Sequence, residues 1–409
     1  MSDAAARGRL VAGAALLSGL LVAALALATN SLDTTKFSWD FRYYIWMAQS
    51  PFTPPLASPF AYRYATPLLA YALSKVCRLS VEAGFSALAY GAGVLQLLGV
   101  FLFTNWFTRS ARGAFVAVLV TAFSLFNVKF LLFDVYRPDH LAYALILLQT
   151  YFALERRFWP LLVSTMLACQ VREFNTIPLL AYLFALSKTQ PDASGVRRSR
   201  AVLSESLIST VGLVAALGLP RLLIPVGEDY QFASLTRDGL LRVLLAPFVL
   251  PRDANFLYSV VAYLLPSLMI AGVAEAASAV GSVSADTRRY FLVYGILVLT
   301  LSFLGGTDFY RFSSYLFVPQ VIFVALVAKK SPVWIVGIML AGVFLFNRLW
   351  LPFPMSDVGQ YLDFYGGFGT RFGWPSALRI VECVALIGVG LLSRALFRAD
   401  GRRSPPATS

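Results

Sequence analysis

Apolar runs of roughly 20 residues recur along the whole chain, and they constrain its fold more than any other feature of the sequence. A helix of about 20 apolar residues is long enough to cross the roughly 30 Å of hydrocarbon in a bilayer. Hydrophobic residues make up 58% of the chain and charged residues only 13%, a balance outside the range of soluble domains. The sequence therefore predicts an all-α fold, that of a polytopic helical membrane protein.

Hydropathy predicts about twelve transmembrane helices. They lie near residues 10–28, 83–105, 114–133, 139–154, 158–171, 175–187, 203–225, 256–274, 290–305, 313–328, 332–349 and 376–393. The apolar segment 66–78 is too short to span, and it begins with Thr66 and Pro67, a favoured helix start. We expect it to form an interfacial helix in the first outer loop. Residues 1–401 are predicted to form a single transmembrane domain, followed by a disordered tail at 402–409.

Basic residues alternate with the predicted spans and predict the orientation of the chain. Lys and Arg concentrate in cytoplasmic loops, so both termini are expected on the cytoplasmic side of a bacterial inner membrane. The basic residues assigned to that side are Arg7, Arg9, Arg109, Arg112, Arg156, Arg157, Lys188, Arg197, Arg198, Arg200, Arg288, Arg289, Lys329, Lys330, Arg394, Arg398, Arg402 and Arg403. Orientation explains the net charge of +13 better than a nucleic acid partner does.

The opposite side of the predicted membrane collects acids, arginines and aromatic residues from separate loops and span ends. A charge at bilayer depth costs about 2.5 to 3.5 kcal/mol on the insertion scale, so each such residue needs a partner or a functional role. The candidate site residues are Asp40, Arg42, Arg63, Arg137, Asp139, His140, Arg172, Glu173, Asp308, Tyr310 and Arg311. Because they carry both signs, they can converge on one polar site.

Structural roles compete with functional ones for several of these residues. Asp40 and Asp139 are each placed to cap the N-terminus of a helix. Arg172 and Glu173 are the most unusual pair, because they lie inside an apolar stretch, where a purely structural ion pair is the alternative. Sequence neighbours do not face each other on a helix, so each needs a different partner, such as Asp139 for Arg172. His140, as the only histidine, favours a hydrogen-bonding role over metal ligation.

The residue types indicate a lipid phosphate that carries a sugar. Arginine binds phosphate through two parallel hydrogen bonds and stays charged. Carboxylates activate a hydroxyl group, either as a base or by holding a metal ion. The sequence contains no Walker loop, dinucleotide-binding glycine motif, HExxH or GxSxG. Its three scattered cysteines predict neither a disulfide framework nor a zinc site.

Four features of the sequence occur together: the first outer loop with its early acid at Asp40, the helix after Pro67, the dozen spans and the outer-facing charges. In these features the chain resembles the polytopic membrane glycosyltransferases of the C fold. That group includes protein mannosyltransferases and lipid A aminoarabinose transferases. The resemblance implies an enzyme that moves a sugar from a polyprenyl-phosphate donor to an acceptor at the outer, periplasmic face. It implies that Asp40 is the catalytic base or acceptor contact.

The same resemblance makes Arg63, Arg137, Arg172 and Arg311 candidates for phosphate binding. We also expect Asp139 and Glu173 to support Asp40 as catalytic acids. The chain departs from the family in two ways. Its first loop lacks an adjacent Asp-Glu pair, which leaves a requirement for a divalent metal ion open. It also lacks a large C-terminal soluble domain, which leaves acceptor recognition to the loops 226–254 and 350–375.

Two other functions fit the sequence. A transporter or flippase of lipid-linked or anionic substrates could line its path with the same charges, although such proteins tend to have similar halves and the sequence shows no such similarity. A non-catalytic subunit of a membrane complex could use the charges as assembly contacts. The sequence does not specify the sugar, the acceptor or the oligomeric state.

Overall fold

A computed structural model describes most of the chain. It covers residues 3–35, 40–51, 53, 56–58, 60–187, 195–224, 226–229, 256–257, 259–265, 267, 281–304, 309–347, 349, 381–382, 384–392 and 395. Asp308, most of the loops 226–254 and 350–375, and the tail 402–409 lie outside the described residues, as does the side chain of Tyr310.

The described part of the chain is predominantly helical, which confirms the predicted class. The α-helices are α1 (Asp3–Leu27), α2 (Phe41–Gln49), α3 (Ala65–Cys77), α4 (Val81–Thr108), α5 (Ala111–Ala122), α6 (Lys129–Phe133), α7 (Asp139–Leu154), α8 (Phe158–Ala168), α9 (Ile177–Ala185), α10 (Gly195–Leu223), α11 (Ala285–Leu304), α12 (Phe309–Ser313), α13 (Phe317–Lys330) and α14 (Val333–Phe346). Short 3-10 helices occupy Phe60–Tyr62, Glu173–Thr176 and Ser314–Leu316.

The predicted number of about twelve spans is not confirmed. Among the described residues, five helices are long and apolar enough to cross a membrane: Ala5–Leu27, Val81–Thr108, Val202–Leu223, Ala285–Leu304 and Arg311–Lys330. Several of the other predicted spans are helical but shorter. Helix α5 has 12 residues, and a helix of that length reaches only about 18 Å at 1.5 Å per residue.

The predicted span 114–133 is not one continuous helix, so that part of the prediction is wrong. Helix α5 ends at Ala122 and α6 begins at Lys129, with turns between them. The Leu125 amide donates to Oδ1 of Asn347 at 3.3 Å, and Nζ of Lys129 donates to the Leu349 carbonyl at 2.7 Å. Such tertiary partners are what a helix break needs in an apolar interior, because the break frees backbone groups.

The predicted helix after Thr66 is confirmed as α3. Its buried residues Thr66, Pro67, Ala70 and Ser74 follow helical spacing and form one face. That face packs against α4, where a Cβ atom added at Gly84 would lie 2.5 Å from the Ala70 carbonyl oxygen. Glycine is therefore required at this helix contact.

One apolar core joins the helices, with α4 packed against α1, α3, α5 and α7, and α13 packed against α5. The structure adds a feature that the sequence analysis did not predict, a short parallel pair of strands. Strand β1 (Leu56–Ser58) pairs with β2 (Val226–Asp229). This pair attaches the first loop to the chain that follows α10.

Helix α4 separates two ends of the bundle, because its 28 residues extend about 42 Å. Near its N-terminus, the ring of Phe85 lies 5.2 Å from that of Tyr136, which places the segment 134–140 at this end. At its C-terminus, the Thr108 carbonyl accepts a hydrogen bond of 2.9 Å from Lys329. The candidate site and the basic residues around Lys329 therefore lie at opposite ends.

Candidate functional site

The most deeply buried ion pair of the site joins Arg172 to Asp139. Arg172 lies between α8 and the 3-10 helix Glu173–Thr176, and Asp139 is the first residue of α7. Nε of Arg172 lies 3.1 Å from Oδ1 of Asp139, and the two side chains are 2% and 0% exposed. The Tyr315 hydroxyl donates to the same oxygen at 2.9 Å. The predicted partnership of Arg172 with Asp139 is confirmed.

A second pair joins Arg63 to Glu173. Nε of Arg63 lies 3.2 Å and 3.1 Å from the two carboxylate oxygens, and its Nη1 lies 3.5 Å from the Tyr44 hydroxyl. The Ala65 amide donates to the Gln170 carbonyl at 3.2 Å, which holds the two segments together. Burial alone would raise the pKa of Glu173, but the charges of Arg63 and Arg172 outweigh it and hold that pKa below its ordinary value.

Arg137 makes the third set of contacts, to two acids. Its Nε bonds Oδ2 of Asp134, and its Nη1 lies 3.8 Å from Oδ2 of Asp40. Burial raises the pKa of Asp134, and the attraction of Arg137 offsets only part of that effect. Asp134 and Glu173 thus shift in opposite directions, because two arginines lower the pKa of Glu173, whereas Asp134 has only Arg137 acting against its burial and the like charges of Asp40 and Asp139.

Neither candidate acid caps its helix. Asp40 occupies the position before α2, yet its side chain makes no capping hydrogen bond. At α7 the capping position belongs to Pro138, and Asp139 points to Arg172 instead. Asp40 is 26% exposed, and its described side-chain contact is the 3.8 Å approach of Arg137. Its carboxylate is therefore accessible and loosely held.

Arg311 lies near Arg172, because both side chains contact the ring of Phe312. The Arg172 and Arg311 guanidinium carbons lie 5.5 Å and 5.1 Å from the centre of this ring, within range of a cation–π contact. Phe174 stacks on Phe312 with centroids 5.4 Å apart. His140 is buried and hydrogen-bonds the backbone of Val135.

The remaining predicted residues are placed differently or lie outside the described chain. Arg42 is exposed, donates to the Tyr43 hydroxyl at 2.8 Å and lies over the Tyr43 ring. Asp308 and the side chain of Tyr310 lie outside the described residues. We call the connected set Asp40, Arg63, Asp134, Arg137, Asp139, Arg172, Glu173 and Arg311 the paired-charge cluster.

The sequence analysis missed several polar residues around this cluster. Tyr44 and Tyr315 bond its members, and nothing in the sequence distinguishes them from other aromatic residues. Lys129 is fully buried, and its neighbour Asn127 accepts a bond of 2.6 Å from the Tyr263 hydroxyl. A single lysine inside an apolar run was a detectable signal, since such a charge needs a partner or a role.

The cluster can bind an anion and accept a proton. The described ion pair of Arg172 uses only Nε, and a guanidinium carries four further N–H donors. Among the residues that the structure describes, no group of three or more His, Cys, Asp or Glu side chains could hold a metal ion. Comparison of the chain with protein-family models, curated proteins and solved structures found no match.

Proposed function

We propose that this protein is a membrane glycosyltransferase of the C-fold type, which moves a sugar from a polyprenyl-phosphate donor to an acceptor at the outer face of a bacterial inner membrane. The observation that carries the proposal is the paired-charge cluster, where arginines from four separate segments meet beside an accessible acid, Asp40. Carboxylates balance the charge of these arginines, and the described ion pairs of Arg63 and Arg172 use only Nε, so a phosphate can bind through further N–H donors of the two guanidinium groups.

The reaction that fits is an inverting displacement. Asp40 takes the proton of the acceptor hydroxyl, whose oxygen attacks the anomeric carbon of the sugar. The bond from that carbon to the phosphate oxygen breaks, and the electron pair leaves with the lipid phosphate. Arg63 and Arg172 are held in place by Glu173 and Asp139, so their charges are positioned before the leaving group forms.

Charge balance sets a condition on this mechanism. The cluster holds four arginines and four acids, so a bound phosphate adds uncompensated negative charge. Asp134 relieves it most easily, because burial already raises its pKa and favours the neutral form. Donor binding should therefore take up a proton, and donor affinity should increase as the pH falls through the raised pKa of Asp134.

The proposed topology has about twelve spans and both termini in the cytoplasm. Its support is that basic residues from separate predicted inner loops meet at one end of the bundle. Arg112 donates to the Ser331 carbonyl at 2.6 Å, and Arg156 pairs with Asp286 at 2.7 Å. Cysteines introduced at Ser194 and Ser356 should be labelled from opposite sides of the membrane. Labelling of both from the same side would overturn the assignment.

The decisive experiment on the reaction uses Asp40→Asn. This change keeps the shape of the side chain but removes the base, so the transfer rate should fall by about a hundredfold or more. Donor binding should change little, because the arginines contact the phosphate. The measurement is sugar transfer from a defined lipid-linked donor in reconstituted membranes, with folding checked by thermal unfolding.

Asp33→Asn is the matched control, because it removes an acid from the same loop outside the cluster and should keep near-normal transfer. Asp40→Ala tests the alternative that Asp40 only stabilises helix α2. If Asp40 only supported the helix, Asn would be near normal and Ala would lose activity in proportion to its loss of thermal stability. Near-normal turnover of a folded Asp40→Asn protein would remove Asp40 from the mechanism.

A transporter or flippase is the second candidate, and the break between α5 and α6 favours it. Transporters often build their sites at discontinuous helices, and this break carries the buried residues Asn127 and Lys129. A transporter should move a lipid-linked or anionic substrate across proteoliposomes. Lys129→Met should then abolish that movement while Asp40→Asn leaves it intact, the reverse of the pattern expected for the enzyme.

A further inference from the structure

Two adjoining cavities lie along α13, the first at the basic end of the bundle and the second extending from there to Leu316. The first has a volume of about 470 Å³ and is lined by Lys329, Lys330, Ser284 and Thr287. The Thr287 amide donates to the Ser284 hydroxyl at 3.2 Å, so this wall is the N-terminal turn of α11. Two cations, two hydroxyl groups and the positive end of a helix dipole all favour a negatively charged group.

The second cavity has a volume of about 300 Å³ and is mostly apolar. Its lining includes Phe291, Pro319, Ile322 and Phe323, and the exposed residue Arg288 also borders it. Val283 and Leu326 line both cavities, so the polar and apolar spaces are neighbours. A ligand with a charged head and a hydrocarbon tail can therefore occupy both at once.

We infer that these cavities bind an anionic membrane phospholipid, with its phosphate headgroup in the polar cavity and an acyl chain in the apolar one. A free phosphate would leave the apolar space unused, whereas a zwitterionic lipid would bring a choline cation next to Lys329 and Lys330. The nearby acid Asp286 does not oppose an anionic headgroup strongly, because it pairs with Arg156 at 2.7 Å. The site is independent of the proposed transfer reaction.

Photo-crosslinking in lipid nanodiscs tests the inference. The probes are phosphatidylglycerol and phosphatidylcholine, each with a diazirine in its acyl chain. Two to three basic residues at about 1 kcal/mol each predict that phosphatidylglycerol labels the cavity at least about tenfold more than phosphatidylcholine does. Mass spectrometry should place the label in the segments 283–291 and 316–326, which line the apolar cavity.

A double variant, Lys330→Gln with Arg288→Gln, should reduce this labelling to near the phosphatidylcholine level. The control double variant, Arg109→Gln with Arg289→Gln, removes the same charge from exposed positions that do not line the described cavities and should keep the labelling. Equal labelling by the two lipids would show that the cavities do not select an anionic headgroup, and equal losses in the two double variants would show only a general attraction to anionic lipid. Either result would overturn the inference. Complete displacement by excess inorganic phosphate would also overturn it.

Discussion

The two ends of this bundle both contain several basic residues, but they stabilise them in different ways. In the paired-charge cluster, Arg63, Arg137 and Arg172 each face a carboxylate. At the basic end, Arg112 and Lys329 bond backbone carbonyls, Lys330 is exposed, and the ion pair of Arg156 with Asp286 is partly solvated. Exposure accounts for the difference between these residues, because an opposite charge stabilises a cation removed from water most strongly, whereas a dipole or water is enough for a partly solvated one.

The comparison predicts a gradient in the strength of the ion pairs. Removing one partner of a buried pair leaves an uncompensated charge, whereas removing one partner of an exposed pair leaves a charge that water solvates. The pairs rank from Arg172 with Asp139, through Arg63 with Glu173, to Arg156 with Asp286 at the basic end. Their side-chain exposures are 2% and 0%, 16% and 30%, and 30% and 37%.

The largest effect is expected for Arg172→Met. The change leaves the fully buried carboxylate of Asp139 without its cation, so it should lower the free energy of unfolding by about 3 to 5 kcal/mol. Reversible unfolding in mixed micelles with increasing denaturing detergent measures this quantity.

The double variant Arg172→Met with Asp139→Leu is the control. Because it removes both charges, it should recover much of the lost stability. A loss below about 1 kcal/mol in Arg172→Met alone would place this pair with the surface pairs and break the proposed gradient.

An intermediate effect is expected from acidification, through Glu173. Its pKa is lower in the folded protein than in the unfolded chain, where it is about 4.3. The pair with Arg63 therefore stabilises the fold above that unfolded value, and its contribution disappears as the pH falls through the lower folded value. Thermal unfolding between about pH 6 and pH 3 should show a steeper loss for the natural protein than for Glu173→Gln.

Asp134 supplies the internal control for this titration, since its pKa is raised and its contribution has the opposite sign. Protonation of Asp134 favours the folded state, so the slope should become steeper in Asp134→Asn, which lacks this compensation. Parallel curves for the natural protein and Glu173→Gln would mean that the pair with Arg63 contributes nothing.

Much of the helical framework was predictable, because it depends on apolar runs that local sequence records. Helices α1, α4 and α11 begin and end within a few residues of the predicted spans or extend them by one or two turns. The break before Lys129 was not predicted, because the segment as a whole is apolar enough for a continuous helix and the polar residues Ser124, Asn127 and Lys129 within it were not weighed. Hydropathy measures composition and does not detect tertiary partners such as Asn347 and Leu349.

The candidate site was predictable as a set of residues but only partly as a geometry. The pairing of Arg172 with Asp139 followed from the cost of a buried charge and the rule that sequence neighbours diverge on a helix. The contact of Arg137 with Asp40 was not predictable from these rules, because it joins distant segments whose approach depends on how α2 packs. The roles of Asp134 and Tyr315 depend on the same packing, which periodicity does not encode.

The smallest effect is expected at the basic end, for Arg156 and Asp286. Their side chains are 30% and 37% exposed, so water and salt screen the 2.7 Å contact that joins them. A double-mutant cycle of Arg156→Ala and Asp286→Ala should give a coupling of about 0.2 to 1 kcal/mol, well below the value for the cluster.

Raising the ionic strength from about 0.1 M to 1 M shortens the screening length from about 10 Å to 3 Å and should reduce this coupling. The buried pair of Arg172 and Asp139 should keep most of its coupling in the same salt, because solvent ions do not reach it. A coupling at the basic end that equals that of the cluster, or that resists salt, would show that exposure does not control the strength of these pairs.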